Sequence, residues 1–243
     1  MLKNKKLKVK MMKFRQKFLS RTVDAYYFTK ILKIEGFDIG SGTIFYSPET
    51  QAIDRERPWM LKIGNYCKIT RGCTILTHDY SRSVLRRKYG EFVGEASITT
   101  IGDNVFIGVN SIILMGAKIG SNVIIGAGSV VSGIIPNDVV AAGNPAKVIC
   151  SIDEFFKKRK NIELESAACY FNSYYHCYGK YPSPNSRNPF FSLYTDRKTF
   201  DYKNDPRMLC NGDNYDDIVN DFKITKPLFK SYDDFINTIN KYE

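Results

Sequence analysis

The chain of 243 residues contains two histidines, His78 and His176. An imidazole titrates near pH 6.5 (about), so it can take a proton at neutral pH and give it back within one reaction cycle. His78 follows a run of regularly spaced isoleucines, in ILTHDYSRSVLRRKYGEF. The residues after it, 79 to 97, include Arg82, Arg86, Arg87, Lys88 and Glu91, which cannot face an apolar interior, so the segment projects with His78 at its base. An isolated histidine is more often an ordinary polar loop residue, but this placement favours catalysis. His176 lies in the aromatic stretch FNSYYHCYGK and is read as structural. Asp79 adjoins His78, yet neighbouring side chains often diverge, and the group orienting the imidazole is left open. Six cysteines without a C-x-x-C pair read as reduced thiols, with Cys67 and Cys73 as small buried side chains.

The elements that hold His78 follow from a period of six. Ile63, Ile69 and Ile75, then Ile101, Ile107, Ile113, Ile119, Ile125 and Val131, keep one phase on either side of the insertion. A helix would place apolar residues three and four apart and a half-buried strand two apart. Six fits a solenoid in which short strands alternate with corners and each side sends one aliphatic into a prism. Glycine follows the aliphatic at 64, 102, 108, 120 and 126, and Asn104, Asn110, Asn122 and Gly128 recur where corners are expected. A solenoid tolerates an insertion at a corner, because a loop thrown outward leaves the stack intact.

The run IGDNVFIGVNSIILMGAKIGSNVIIGAGSVVSGIIPNDVVAAGNPAKVI resembles the hexapeptide-repeat acyltransferases, which include galactoside, maltose and serine acetyltransferases. With RPWMLKIGNYCKIT and the stretch around His78, the resemblance is strongest to bacterial capsule and exopolysaccharide O-acetyltransferases. It implies a mainly β fold, a left-handed parallel β-helix over residues 36–150 with the projecting loop 79–97. A basic N-terminal arm or helix, 1–35, precedes it, and a helical and irregular extension, 151–243, follows. It implies an acetyl-CoA-dependent O-acetyltransferase acting on a sugar hydroxyl in surface polysaccharide synthesis, with amino-sugar N-acetylation as the alternative. His78 would be the general base, and Val109, Ala127, Ser132 and Lys147 would contact the donor, the Val109 amide as oxyanion donor. Asp79 and Glu91 would face the acceptor, and a homotrimer would supply the groove for the pantetheine arm. The chain departs from the family in having Gly133 and Cys150 where basic residues are common.

Two histidines are too few for the three that hold zinc in the γ-class carbonic anhydrases built on the same coil, so no metal is expected. A noncatalytic solenoid would not need an insertion presenting a histidine. The net charge of +11 is concentrated in residues 1–21, which carry seven lysines, two arginines and no acid. Leu7, Met11, Phe14 and Phe18 give that arm an apolar side for an anionic membrane surface, although a solvated basic helix is favoured. No nucleic-acid motif accompanies it. Without a long apolar run, the chain reads as cytoplasmic, with the inner face of the membrane as the one surface it would touch. At the far end, Ser151 and Glu154 form a capping box that starts a helix near Ile152. Residues 181–215 read as irregular, and SYDDFINTIN reads as a short helix. The aromatic extension offers stacking faces for sugars, but packing of a small lobe is the commoner use.

Overall fold

The computed structural model describes residue 11 and residues 21–205, 207–208 and 213–242. The expectation for the basic stretch 1–21 therefore lies, but for residues 11 and 21, outside the described residues. The chain forms two compact units, Met1–Phe155 and Phe156–Glu243.

The first unit is a prism of three parallel sheets whose strands are mostly two residues long. One sheet stacks Asp38–Ile39, Leu61–Ile63, Thr99–Ile101, Lys118–Ile119 and Ile134–Ile135. The second stacks Ile44–Phe45, Lys68–Ile69, Phe106–Ile107, Ile124–Ile125 and Val139–Gly143, and the third Ala52–Ile53, Thr74–Ile75, Ile112–Ile113 and Val130–Val131. The chain visits the three in turn, so three sixes make one coil and Ile101 becomes the register partner of Ile119. The inward aliphatics thus sit directly over one another, and Ile69, Ile75, Ile107, Ile113, Ile125 and Val131 are wholly buried. Each such side chain contributes about 1.5–3 kcal/mol, which is how strands too short to be stable alone are held.

Corners and close contacts explain the remaining letters of the repeat. Asn104, Asn110, Asn122 and Gly128 all have left-handed backbone, with φ between 54° and 68°, a region open to glycine and asparagine. Two of these asparagines form a side-chain ladder: Asn104 donates to Asn122 and Asn122 to Asp138, each at 2.9 Å. Gly102 serves a different need, since a Cβ there would lie 2.7 Å from the backbone of Gly120 in the next coil. Gly102→Val is expected to push the coils apart at a cost of about 1–3 kcal/mol, seen as a lower urea midpoint. A midpoint equal to the parent's would contradict this packing.

Helix α1 (Arg21–Glu35) belongs to the prism although its sequence was assigned to the arm: Phe28 and Leu32 join the core, and Phe28 meets Phe45 edge-on at 5.3 Å between centroids. The insertion also differs from a plain loop, because Arg82–Tyr89 forms helix α2, closed by Gly90 at φ 77°. Every residue from 79 to 98 is exposed. After the last coil, Ala146–Ser151 pairs antiparallel with Val139–Gly143, the turn carrying a cis Asn144–Pro145 bond.

Helix α3 (Ile152–Asn161) begins as the capping box requires: Ser151 Oγ accepts from the Glu154 N–H at 3.1 Å, and Glu154 accepts from the Ser151 N–H at 2.8 Å. In the second unit follow α4 (Glu163–Tyr178), α5 (Tyr215–Ile224) and α6 (Tyr232–Ile239), the last within the stretch read as a helix. Its core is aromatic: Phe235 lies 4.9 Å from Phe171 and 5.1 Å from Tyr194, so these rings pack one another. His176 is exposed on α4. No helix among the described residues is long and apolar enough to cross a membrane.

Candidate active site

Parallel stacking in the third sheet brings together two residues far apart in sequence. Ile53 and Ile75 are register partners, and both strands run the same way, so the chain leaves them side by side. Asp54 then donates its N–H to the Ile75 carbonyl at 3.0 Å and turns its carboxylate toward the residues that follow Ile75. His78 Nδ1 lies 2.5 Å from Asp54 Oδ2. The same oxygen accepts from the Thr77 N–H at 3.3 Å and from the Thr77 hydroxyl. Asp54 Oδ1 accepts from the Glu56 N–H at 3.0 Å.

The Asp54 side chain is 4% exposed and the His78 ring 13%. Burial alone would raise the Asp54 carboxyl, but the Thr77 bond, the Glu56 N–H and the imidazole outweigh it and hold it below its usual 3.8. The group is therefore a carboxylate at neutral pH. A carboxylate only accepts, so the proton of a neutral His78 resides on Nδ1, and Nε2 carries the free lone pair. Nε2 faces outward, 3.7 Å from the exposed Glu56 carboxylate, and the ring meets Tyr80 edge-on at 5.3 Å. Beneath it, Thr99 Oγ1 donates to the Leu76 carbonyl at 2.8 Å, tying together the two roots of the insertion. A held imidazole with an open Nε2 can take a proton from a hydroxyl and release it to a leaving group.

The other residues singled out from sequence are dispersed. Asp79 Oδ1 accepts from the Ser81 N–H at 2.9 Å and from its hydroxyl at 2.6 Å, bonds that hold its carboxyl below the usual value while shaping the entry to α2. Glu91 is exposed just beyond α2. Val109 and Ala127 lie on successive coils at the corner between the second and third sheets, where the Val109 carbonyl accepts from Gly128 at 2.8 Å. The Val109 N–H has no acceptor among the described residues. Ser132 is exposed at the corner where His78 also sits, after the third sheet, and Lys147 is exposed on the terminal hairpin. Within one chain, Val109 and His78 thus occupy different corners of the prism. Cys67 and Cys73 are fully buried, their thiols pushed up by burial.

Sequence reading missed Asp54, Thr77 and Glu56. Ile39 and Phe45 are six apart and both buried, in phase with Ile63, but Ile53 beside Asp54 falls outside that phase, so the period alone does not mark Asp54. Among the described residues no group of three or more His, Cys, Asp or Glu side chains is placed to hold a metal ion.

Residues 98–132 match the family described as the hexapeptide repeat of succinyl-transferase. Over 129 residues, 53% of this chain and 73% of the relative, the sequence is 42% identical to protein CapG of Staphylococcus aureus. Over 134 residues, 54% of this chain and 64% of the relative, it is 36% identical to the galactoside O-acetyltransferase of Escherichia coli strain K12. A galactoside acetyltransferase solved in complex with coenzyme A aligns with a TM-score of 0.43 at 26% identity, over 64% of this chain and 84% of that one. With its coils, its corner asparagines and its glycine contacts, the chain belongs to the hexapeptide-repeat acetyltransferase family and is an acyltransferase.

Proposed function

We propose that the chain transfers an acetyl group from acetyl-CoA to a sugar hydroxyl, in the assembly of a bacterial surface polysaccharide. The observation that carries this is the Asp54–His78 pair, with Nε2 open at the base of the exposed insertion. The acceptor hydroxyl gives its proton to Nε2 as its oxygen attacks the thioester carbonyl. The C–S bond then breaks, and the imidazolium, facing the Asp54 carboxylate, returns the proton to the thiolate. An O-linked ester and free CoA result. The similarity to a galactoside O-acetyltransferase supports an oxygen acceptor over a nitrogen one.

The residues expected at the donor fit that use. Val109 offers an N–H without an acceptor among the described residues, as an oxyanion donor must. Ala127, Ser132 and Lys147 are all exposed, open to a pantetheine arm and, at Lys147, to a phosphate. Because Val109 and His78 stand at different corners of one prism, we infer that the site is completed between neighbouring chains, in a homotrimer of left-handed coils closed by threefold symmetry.

Labelled acetyl-CoA offered with oligosaccharide acceptors is expected to give an alkali-labile ester, from a protein that light scattering sizes as a trimer. Label found only in an alkali-stable amide, or only on free amino acids, would overturn the O-acetyl reading. An active monomer would overturn the shared site.

A further inference from the structure

The insertion shapes an open hollow of about 470 Å³ that no step of the proposed transfer uses. It is lined by Tyr80, Arg82, Ser83, Arg86, Phe92 and Val93. Tyr80 joins it to the reacting pair, since the ring that lines the recess also touches the His78 ring. The recess therefore lies one ring away from His78.

Its charge is one-sided. Helix α2 carries Arg82, Arg86, Arg87 and Lys88 and no acid, and Arg82 and Arg86, four apart, line the same hollow. Neither guanidinium pairs with a carboxylate among the described residues. Arg86 lies over the Phe92 ring at 5.5 Å. Arg82 is near enough to Asp79 to help keep that carboxyl ionised, but the oxygen that makes hydrogen bonds there is already occupied by Ser81. Cations in the last turn of α2 suit the helix dipole; Arg82 stands in the first turn, where the dipole disfavours one. Two like charges one turn apart also repel. No buried residue in the insertion needs them, as all of it is exposed. Local stability therefore leaves this arrangement unexplained, whereas an anion bound between two guanidinium forks would neutralise it.

We propose that the recess binds an anionic group of the acceptor, so that the acetylated sugar carries a carboxylate or a phosphate close to its reacting hydroxyl. This rests on the proposed transfer for its place in the reaction, and it can be tested without it.

Calorimetry on the full chain compares three probes: an oligosaccharide containing a hexuronic acid, its neutral hexose counterpart, and a nucleoside diphosphate hexose. At least one anionic probe is expected to bind about tenfold or more tightly than the neutral one, and which one does so separates carboxylate from phosphate. That ratio should collapse toward one in R82Q/R86Q and be partly kept in R82K/R86K, with circular dichroism showing each variant folded. Equal or undetectable binding of all three probes, or an anion preference that survives in R82Q/R86Q, overturns the inference. Acetyl transfer is measured separately on the same probes. An Arg-dependent preference in binding without transfer to any sugar would remove the transferase reading and leave the anion site standing; transfer without such a preference does the reverse.

Discussion

His78→Ala is expected to lower the turnover of acetyl transfer by about 10²- to 10⁴-fold, the range attributed to a general base, in a protein that still folds. The ring is partly exposed and lies outside the buried core, so its loss opens no cavity in the prism. Asp54 would keep both Thr77 donors and the Glu56 N–H, so no buried charge is left without partners. Release of free CoA, followed with a thiol reagent under saturating acceptor, measures the effect. Near-normal turnover in a folded variant would remove His78 from the chemistry.

The second large effect is expected at a residue that touches neither substrate. Asp54→Asn should lower turnover by about 10²-fold while leaving the KM for acetyl-CoA near the parent's, because the carboxylate acts through the imidazole. Both of its oxygens receive donors, Oδ1 from Glu56 and Oδ2 from Thr77 and His78. An amide must turn its NH₂ toward one of these sets, and in either orientation it has no negative charge to offer an imidazolium. Nitrogen-15 spectra of the imidazole should show one tautomer, protonated on Nδ1, in the parent and a mixture in the variant. A single unchanged tautomer with full turnover would show that Asp54 is only a brace. Stability gives a further readout with a definite sign. The Asp54 carboxyl is held below its ordinary value, so its ionised form stabilises the fold above about pH 3.8. That contribution disappears as the pH falls through the folded value, and the asparagine variant should lack this part of the acid sensitivity.

The prism was legible because each of its demands selects a residue type. Inward positions require aliphatics, left-handed corners accept asparagine or glycine, and close-stacked backbones exclude a Cβ, so Ile101, Gly102 and Asn104 each state their position. The first coil, inside the expected 36–150, is irregular: 3₁₀ turns at Pro48–Thr50 and Pro58–Met60 displace Ile53 from the phase of Ile63. The period therefore does not mark Asp54, whose nearness to His78 depends on a parallel register and not on any local motif. Helix α2 follows Ser81, a residue type common before helices, although that side chain makes no cap bond; the charges of the segment made it read as a projecting loop instead. In the second unit α6 was legible within SYDDFINTIN, but Phe171 on α4 packs against Phe235 without a repeat, and spacing did not mark α4 as a helix. The likeness of Val109 and Ala127 was visible as one repeated position, but their corner relative to His78 depends on which sheet each strand joins across the insertion.

The bond between Thr99 and the Leu76 carbonyl separates two things that most enzymes must change together. Asp54 and His78 follow adjacent strands of one sheet, whose spacing of about 4.8 Å is set by backbone hydrogen bonding, and the tie at Leu76 fixes the chain just before His78. The segment beyond His78, residues 79–97, is in effect an exchangeable cassette. It can lengthen, change charge or be replaced by a loop from another coil while proton transfer continues at the same separation. A chimera that keeps residues 36–78 and 98–150 and receives a different insertion should therefore change which acceptor is modified before it loses the ability to modify one.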